Sequence, residues 1–101
     1  MEFNKGDLVG RMSAGGFGEW SQSARPAVVV NAADGEYDLY LPGLSPNQET
    51  VPGQFVDELS EGKREQLIAK SKEVLEKLEK FNLKEWDPMY EIRESLRLAV
   101  Q

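Results

Sequence analysis

Three carboxylates, one arginine and two loop aromatics are the side chains of this sequence whose types and spacing could do chemistry. Asp34, Glu36 and Asp38 alternate through a stretch that reads as a turn running into a strand, which puts all three on one face. Such a row could hold a hard cation such as Mg²⁺ or Ca²⁺ through oxygen ligands. Carboxylates on the solvent face of a hairpin also keep an edge from pairing with other chains, and Asp34-Gly35 is by itself a turn former. The second reading is favoured, and no metal site is assigned.

Phe17 and Trp20 lie in Ser13–Ser23, a segment with three glycines and many small residues, the composition of a loop. Large aromatics in such a loop offer area that a partner can bury, and they can equally fold inward across the open end of the sheet. Arg25, at the entry to the next strand, either meets a partner carboxylate or offsets nearby acidic charge. Phe17, Trp20, Arg25, Glu36 and Asp38 are therefore the candidate partner-binding residues. Histidine and cysteine are both absent. Their absence removes the usual proton shuttle near neutral pH, the Ser-His and Cys-His nucleophile pairs and thiolate or imidazole metal ligands. Carboxylates, lysines and tyrosines remain for acid–base work, but no spacing marks a matched pair with opposed environments. The expectation is a non-catalytic chain without a cofactor.

The charge is uneven. The net charge is −6, and residues 1–59 hold three basic side chains against nine acidic ones, whereas residues 60–101 hold nine of each. An acidic half repels phosphate backbones, so nucleic acid is disfavoured as a partner and a protein with a basic or apolar surface is expected. No apolar run approaches the length needed to cross a bilayer. Met1–Lys5 lacks the basic-then-apolar order of a signal peptide, so a cytoplasmic location without membrane contact is expected.

The elements that must position these residues read as follows. Leu8–Met12 alternates as a first strand, and Pro26–Val30 is apolar on both faces, Val28 and Val30 on one and Ala27 and Val29 on the other. Asn31–Gly35 turns the chain into a strand with Tyr37, Leu39 and Leu41 opposite Glu36, Asp38 and Tyr40, buried on one face only. Short strands follow at Glu49–Val51 and Gln54–Asp57. Ser60 can cap a helix with an apolar stripe of Leu67, Ile68, Val74, Leu75, Leu78 and Phe81, interrupted by small Ser71. Asp87-Pro88 restarts a second helix striped by Met89, Ile92, Leu96 and Ala99. The helices are expected to fold back around Phe81, Leu83 and Trp86, with the Leu67–Leu78 ridge covering Ala27 and Val29. Part of the first helix is expected to project or to meet another subunit, so a homo-oligomer is in view.

The predicted fold class is α+β: a small five-stranded antiparallel Src-homology-3-like β-barrel over residues 1–59, then a C-terminal α-helical hairpin over residues 60–101, packed as one unit. Gly6–Val9, the glycine-rich loop and Arg25–Val30 are similar to the opening of the MazF-type toxin ribonucleases. That resemblance implies the barrel fold and would nominate Arg25 for an RNA-cutting site. The segment Arg25–Gly43, with its Arg-Pro-Ala-Val-Val-Val run before an Asp-Gly turn, resembles small phage-encoded barrel proteins more closely. It implies a phage accessory role, capsid-associated or as an adaptor, in the host cytoplasm or the virion. The expected function is a non-catalytic protein-binding module. The alternative is an acidic inhibitor that blocks a basic, nucleic-acid-binding surface, and the third reading is a MazF-like ribonuclease.

Overall fold

The computed structural model describes residues 2–12, 25–43 and 48–101. Five strands form one antiparallel sheet: β1 (Leu8–Arg11), β2 (Arg25–Ala33), β3 (Glu36–Tyr40), β4 (Glu49–Pro52) and β5 (Val56–Glu58), in the order β4-β3-β2-β1-β5. Two helices follow, α1 (Glu61–Leu78) and α2 (Pro88–Ala99). β4 and β5 lie at opposite edges of the sheet, yet only the single 3₁₀ turn Gly53–Phe55 separates them along the chain. The sheet must therefore curl until its edges approach each other. Val51 of β4 and Val56 of β5 indeed share one hydrophobic cluster with Val9, Ala27, Val29, Leu39 and Leu41 on the concave face. Among the described residues β4 and β5 do not pair, so the molecule has an open, curled sheet where a closed barrel was expected.

Curling has a local cause. Val29 pairs with Leu39 and Asn31 with Asp38, which leaves Val30 as an extra residue in β2. Such a bulge bends its strand and increases the twist. The turn that follows has Asp34 at φ 53° and Gly35 at φ 76°. Positive φ at both central residues is the type I′ geometry whose twist matches a hairpin, and it accounts for the Asp-Gly pair.

The helices cover the face opposite to the one expected. Leu67 and Leu78 of α1 and Ile92 and Leu96 of α2 pack with Leu8, Val28, Val30, Tyr40 and Leu59. Ala27 and Val29 face the concave side, where the sheet folds over itself and leaves both fully buried without any helix. Small Ala27 suits that tight interior, while the larger Leu8 and Tyr40 give the helices a broad apolar floor. Tyr40 is accordingly buried as well, so β3 is covered on both faces at its C-terminal end. Burial raises the Tyr40 phenol above its ordinary pKa. Ser71 and Ser95, on the core-facing stripes of α1 and α2, are fully buried. The Ser95 hydroxyl donates to the Glu91 carbonyl at 2.9 Å.

Helix boundaries follow their signals unevenly. Asp87 caps α2 as expected, its carboxylate accepting from the Met89 amide at 3.0 Å with Pro88 in the first turn. Ser60 stands at the α1 N-terminus without a side-chain capping bond. At the other end α1 stops at Leu78, where Lys80 N donates to Lys77 O and Phe81 N to Leu78 O in tightened turns. Phe81 thus leaves the stripe to which its spacing assigned it.

Candidate functional site

Residues 2–4 lie against the hairpin end of the sheet and help line a concavity there. The Phe3 amide donates to the Tyr37 hydroxyl at 3.2 Å, and the two rings meet edge to face with centroids 5.9 Å apart. Gly53 N donates to Gly35 O at 2.8 Å. A Cβ at Gly53 would stand 3.0 Å from that same oxygen, so the start of the 3₁₀ turn approaches the hairpin as only glycine comfortably permits. The result is an open cleft of about 540 Å³ whose lining includes Glu2, Asp34 and Glu36 as well as Phe3 and Tyr37. Among the described residues, the ion pairs of the sheet half, Lys5–Glu91 and Arg11–Glu49, leave these three carboxylates out. A lining that mixes three acidic residues with two aromatic ones suits a cationic group carried on an apolar or aromatic stem, through charge and ring contacts together.

Of the residues singled out in the sequence, Glu36 lines this cleft and Asp38 does not. The Asp38 carboxylate accepts from the Thr50 hydroxyl at 2.6 Å, which ties β3 to β4. Asp34 sits in the turn at positive φ and belongs to the cleft rim, so the alternating acidic row ends at Glu36. Among the described residues no group of three or more histidine, cysteine or acidic side chains is arranged to hold a metal ion.

Arg25 begins β2, at the end remote from the hairpin turn, with the eight-step run of that strand spanning roughly 26 Å between them. It is exposed, and its cross-strand partner is Arg11. Arg11 Nε lies 2.6 Å from Glu49 Oε1 but is not aligned for a hydrogen bond, which makes this a charge contact. Because Glu49 belongs to β4 and Arg11 to β1, the contact spans the concave face between non-adjacent strands. The structure thus separates Arg25 from Glu36 and places Asp38 in a strand-to-strand bond. Phe17 and Trp20 lie outside the described residues.

A second surface was missed in the sequence. Trp86 is 82% exposed and Phe81 62% exposed, both in the connection between α1 and α2 where they were expected to pack inside the bend. The reason is the way the helices meet. Arg97, in the last turn of α2, reaches Glu79, the first residue past α1, so the end of α1 is tied to the far end of α2 and not to its start. Lys77, Lys80 and Lys84 are exposed around this loop. Two of its three acids are occupied locally: Glu79 by Arg97, which holds its carboxyl below the ordinary glutamate range through a hydrogen bond, and Asp87 by the capping bond. The loop is left as an exposed aromatic projection that carries Lys80 and Lys84 alongside Glu79, Glu85 and Asp87. The sequence signal was Asn82 and Asp87-Pro88 bracketing the segment, which ends one helix early and starts the next late.

No helix among the described residues is long and apolar enough to cross a membrane. No protein-family model, curated protein or solved structure matches the chain.

Proposed function

We propose that the chain is a non-catalytic protein-binding module whose cleft, lined by acidic and aromatic residues, takes a basic segment of its partner. The observation that supports this reading is one cleft lined by Glu2, Asp34 and Glu36 together with the Phe3–Tyr37 pair, the three acids standing outside the sheet half's ion pairs among the described residues. The strand order, with one 3₁₀ turn between the two edge strands, supports a Src-homology-3-like barrel as the parent architecture. The resemblance of Arg25–Gly43 to small phage-encoded barrels supports a phage accessory role, as an adaptor or capsid-associated protein. The same acidity favours a second reading, an inhibitor that occupies a basic, nucleic-acid-binding surface of a host or defence protein.

The test is a titration of the full chain with a fluorescent Lys/Arg-rich peptide carrying one tryptophan, followed by anisotropy. Saturable binding is expected, weakened by salt and by Glu36→Lys combined with Glu2→Lys at least about tenfold. Binding that ignores both changes would remove the cleft from the account. Protection of a basic nucleic-acid-binding protein from its nucleic acid would favour the inhibitor over the adaptor.

A further inference from the structure

We propose that the partner's basic segment binds as an extended strand, adding itself to the free edge of β2 at Ala32, which rests on the reading of the cleft as a receptor for such a segment. β1 accompanies β2 only as far as Val29. Gly6 N donates to Val29 O at 2.8 Å and Val29 N to Asp7 O at 3.0 Å. The chain before β1 then turns away from β2. Asp7 N donates to Asn4 O at 2.9 Å, the Asp7 carboxylate accepts from Asn4 N at 2.7 Å, and the Phe3 amide is taken by the Tyr37 hydroxyl. On its other side β2 stays paired with β3, Asn31, Ala32 and Ala33 lying opposite Asp38, Tyr37 and Glu36. Among the described residues, these last three positions of β2 therefore have a strand on one edge only. All three are exposed.

The register determines what that edge offers. Ala33 and Glu36 flank the Asp34-Gly35 turn, so they form the hydrogen-bonded pair that closes the hairpin, and alternation makes Asn31 with Asp38 the next such pair. Ala32, between them, directs its N–H and C=O away from β3. Ala32 and Ala33 also line the cleft that holds Glu2, Asp34, Glu36 and Tyr37, and their small side chains leave an incoming backbone room to approach. A residue added beside Ala32 shares the face of Ala32 and its cross-strand neighbour Tyr37, while the residues before and after it point to the other face. Main-chain bonds then supply affinity, and alternate side chains supply the preference for positive charge. The same acids, in a protein of net charge −6, oppose pairing of this edge with a second copy and favour a cationic strand.

The test titrates the full chain with a peptide in which Lys and Arg alternate with Ser about one tryptophan, so that only one face of the peptide is basic. Two further versions carry N-methyl groups on alternate amides, one on the basic residues and one on the serines. N-methylation removes a donor and bars close approach of a strand. An added strand turns alternate amides to the edge, so one version is expected to bind at least about tenfold more weakly than the parent and the other nearly as well. Amide exchange followed by NMR gives a second readout: the Ala32 amide is expected to exchange readily in the free chain and at least about tenfold more slowly at peptide saturation. Ala32→Pro deletes the outward N–H, a change that sheet edges tolerate, and is expected to weaken binding where Ala32→Ser does not. Binding that falls equally with both methylated versions, or with neither, or that leaves Ala32 exchange unchanged, would overturn the proposal. If binding of the basic peptide still depends on Glu2 and Glu36 in that case, the cleft reading survives it; failure of every basic peptide to bind removes both.

Discussion

Arg97 grips Glu79 at two points, Nε to Oε1 and Nη2 to Oε2, both at 2.8 Å, while its Nη1 reaches Glu94 at 2.8 Å. This fork fixes the end of α1 against the last turn of α2. Planar, bidentate pairing of this kind is geometrically specific even at a surface, where its contribution to stability is screened by solvent.

A pH dependence follows from that pair. Arg97 lowers the folded-state pKa of Glu79, so the contribution is fully present above the ordinary glutamate pKa and is lost as pH falls through the lowered folded value. Arg97→Gln should reduce the melting temperature modestly at pH 7 and make no difference once the solution is acidic enough to protonate Glu79 in the fold. Thermal melts of both proteins across the acid range check this. A gap that stays constant down to the lowest pH would show that Arg97 acts through packing alone.

Tyr40 gives the opposite limb. Its burial beneath α1 and α2 raises its pKa, so the folded state holds the phenol proton more tightly than the unfolded chain. Stability from this source is intact below the unfolded value of 10.0 and falls as pH rises through the folded value. Tyr40→Phe should flatten the alkaline decline in stability while leaving the neutral value little changed, as followed by denaturant unfolding at several pH values. An alkaline decline of equal steepness in the variant would assign it to other groups.

The two cores separate in a third prediction. Ile92→Ala empties the helix-facing core and Leu39→Ala the concave one, and each should cost about 2–5 kcal/mol by the usual scale of large-to-small changes at fully buried sites. Ala27→Leu should cost about 1–3 kcal/mol through overpacking, because Ala27 has the curled sheet around it and no helix that could shift aside. Removal of residues 60–101 should leave Leu8, Val28, Val30 and Tyr40 bare and yield an unfolded or aggregated fragment. Urea unfolding measures the first three and sedimentation the last. A stable, monomeric fragment would mean that the concave core suffices alone.

Which of these features could be read from the residues depends on how local their causes are. Asp87-Pro88 and Asp34-Gly35 were legible because a cap and a type I′ turn are decided by neighbouring residues. The face taken by the helices was not, because β2 is apolar on both sides and alternation alone ranks neither. Leu8 on β1 and Tyr40 on β3 decide it, through strand pairings that no periodicity encodes. Phe81 was misassigned because a three-residue spacing continues past Leu78 although the helix does not. The cleft depends on Phe3 meeting Tyr37, 34 residues away, a contact with no local signature. Charge asymmetry pointed to the acidic half, but folding was needed to separate the engaged Asp38 from Glu36 at the rim.

The last prediction concerns how the helices are anchored to the start of the chain. Gly6 has φ 91°, its amide donates to Val29 O at 2.8 Å, and a Cβ placed on it would lie 2.5 Å from Leu98 Cβ. Gly6→Ala therefore meets two penalties, a backbone conformation that L-residues rarely adopt and a collision with α2. The first alone is of the order of 1–3 kcal/mol. Leu98→Ala should not rescue it, since alanine keeps the obstructing Cβ, whereas Leu98→Gly removes that atom at a helix cost of about 1 kcal/mol. In a double-mutant cycle by urea unfolding, Gly6→Ala should thus couple favourably with Leu98→Gly and hardly at all with Leu98→Ala. Equal coupling with both would locate the collision at the end of the leucine side chain, and no coupling with either would leave backbone strain as the whole effect.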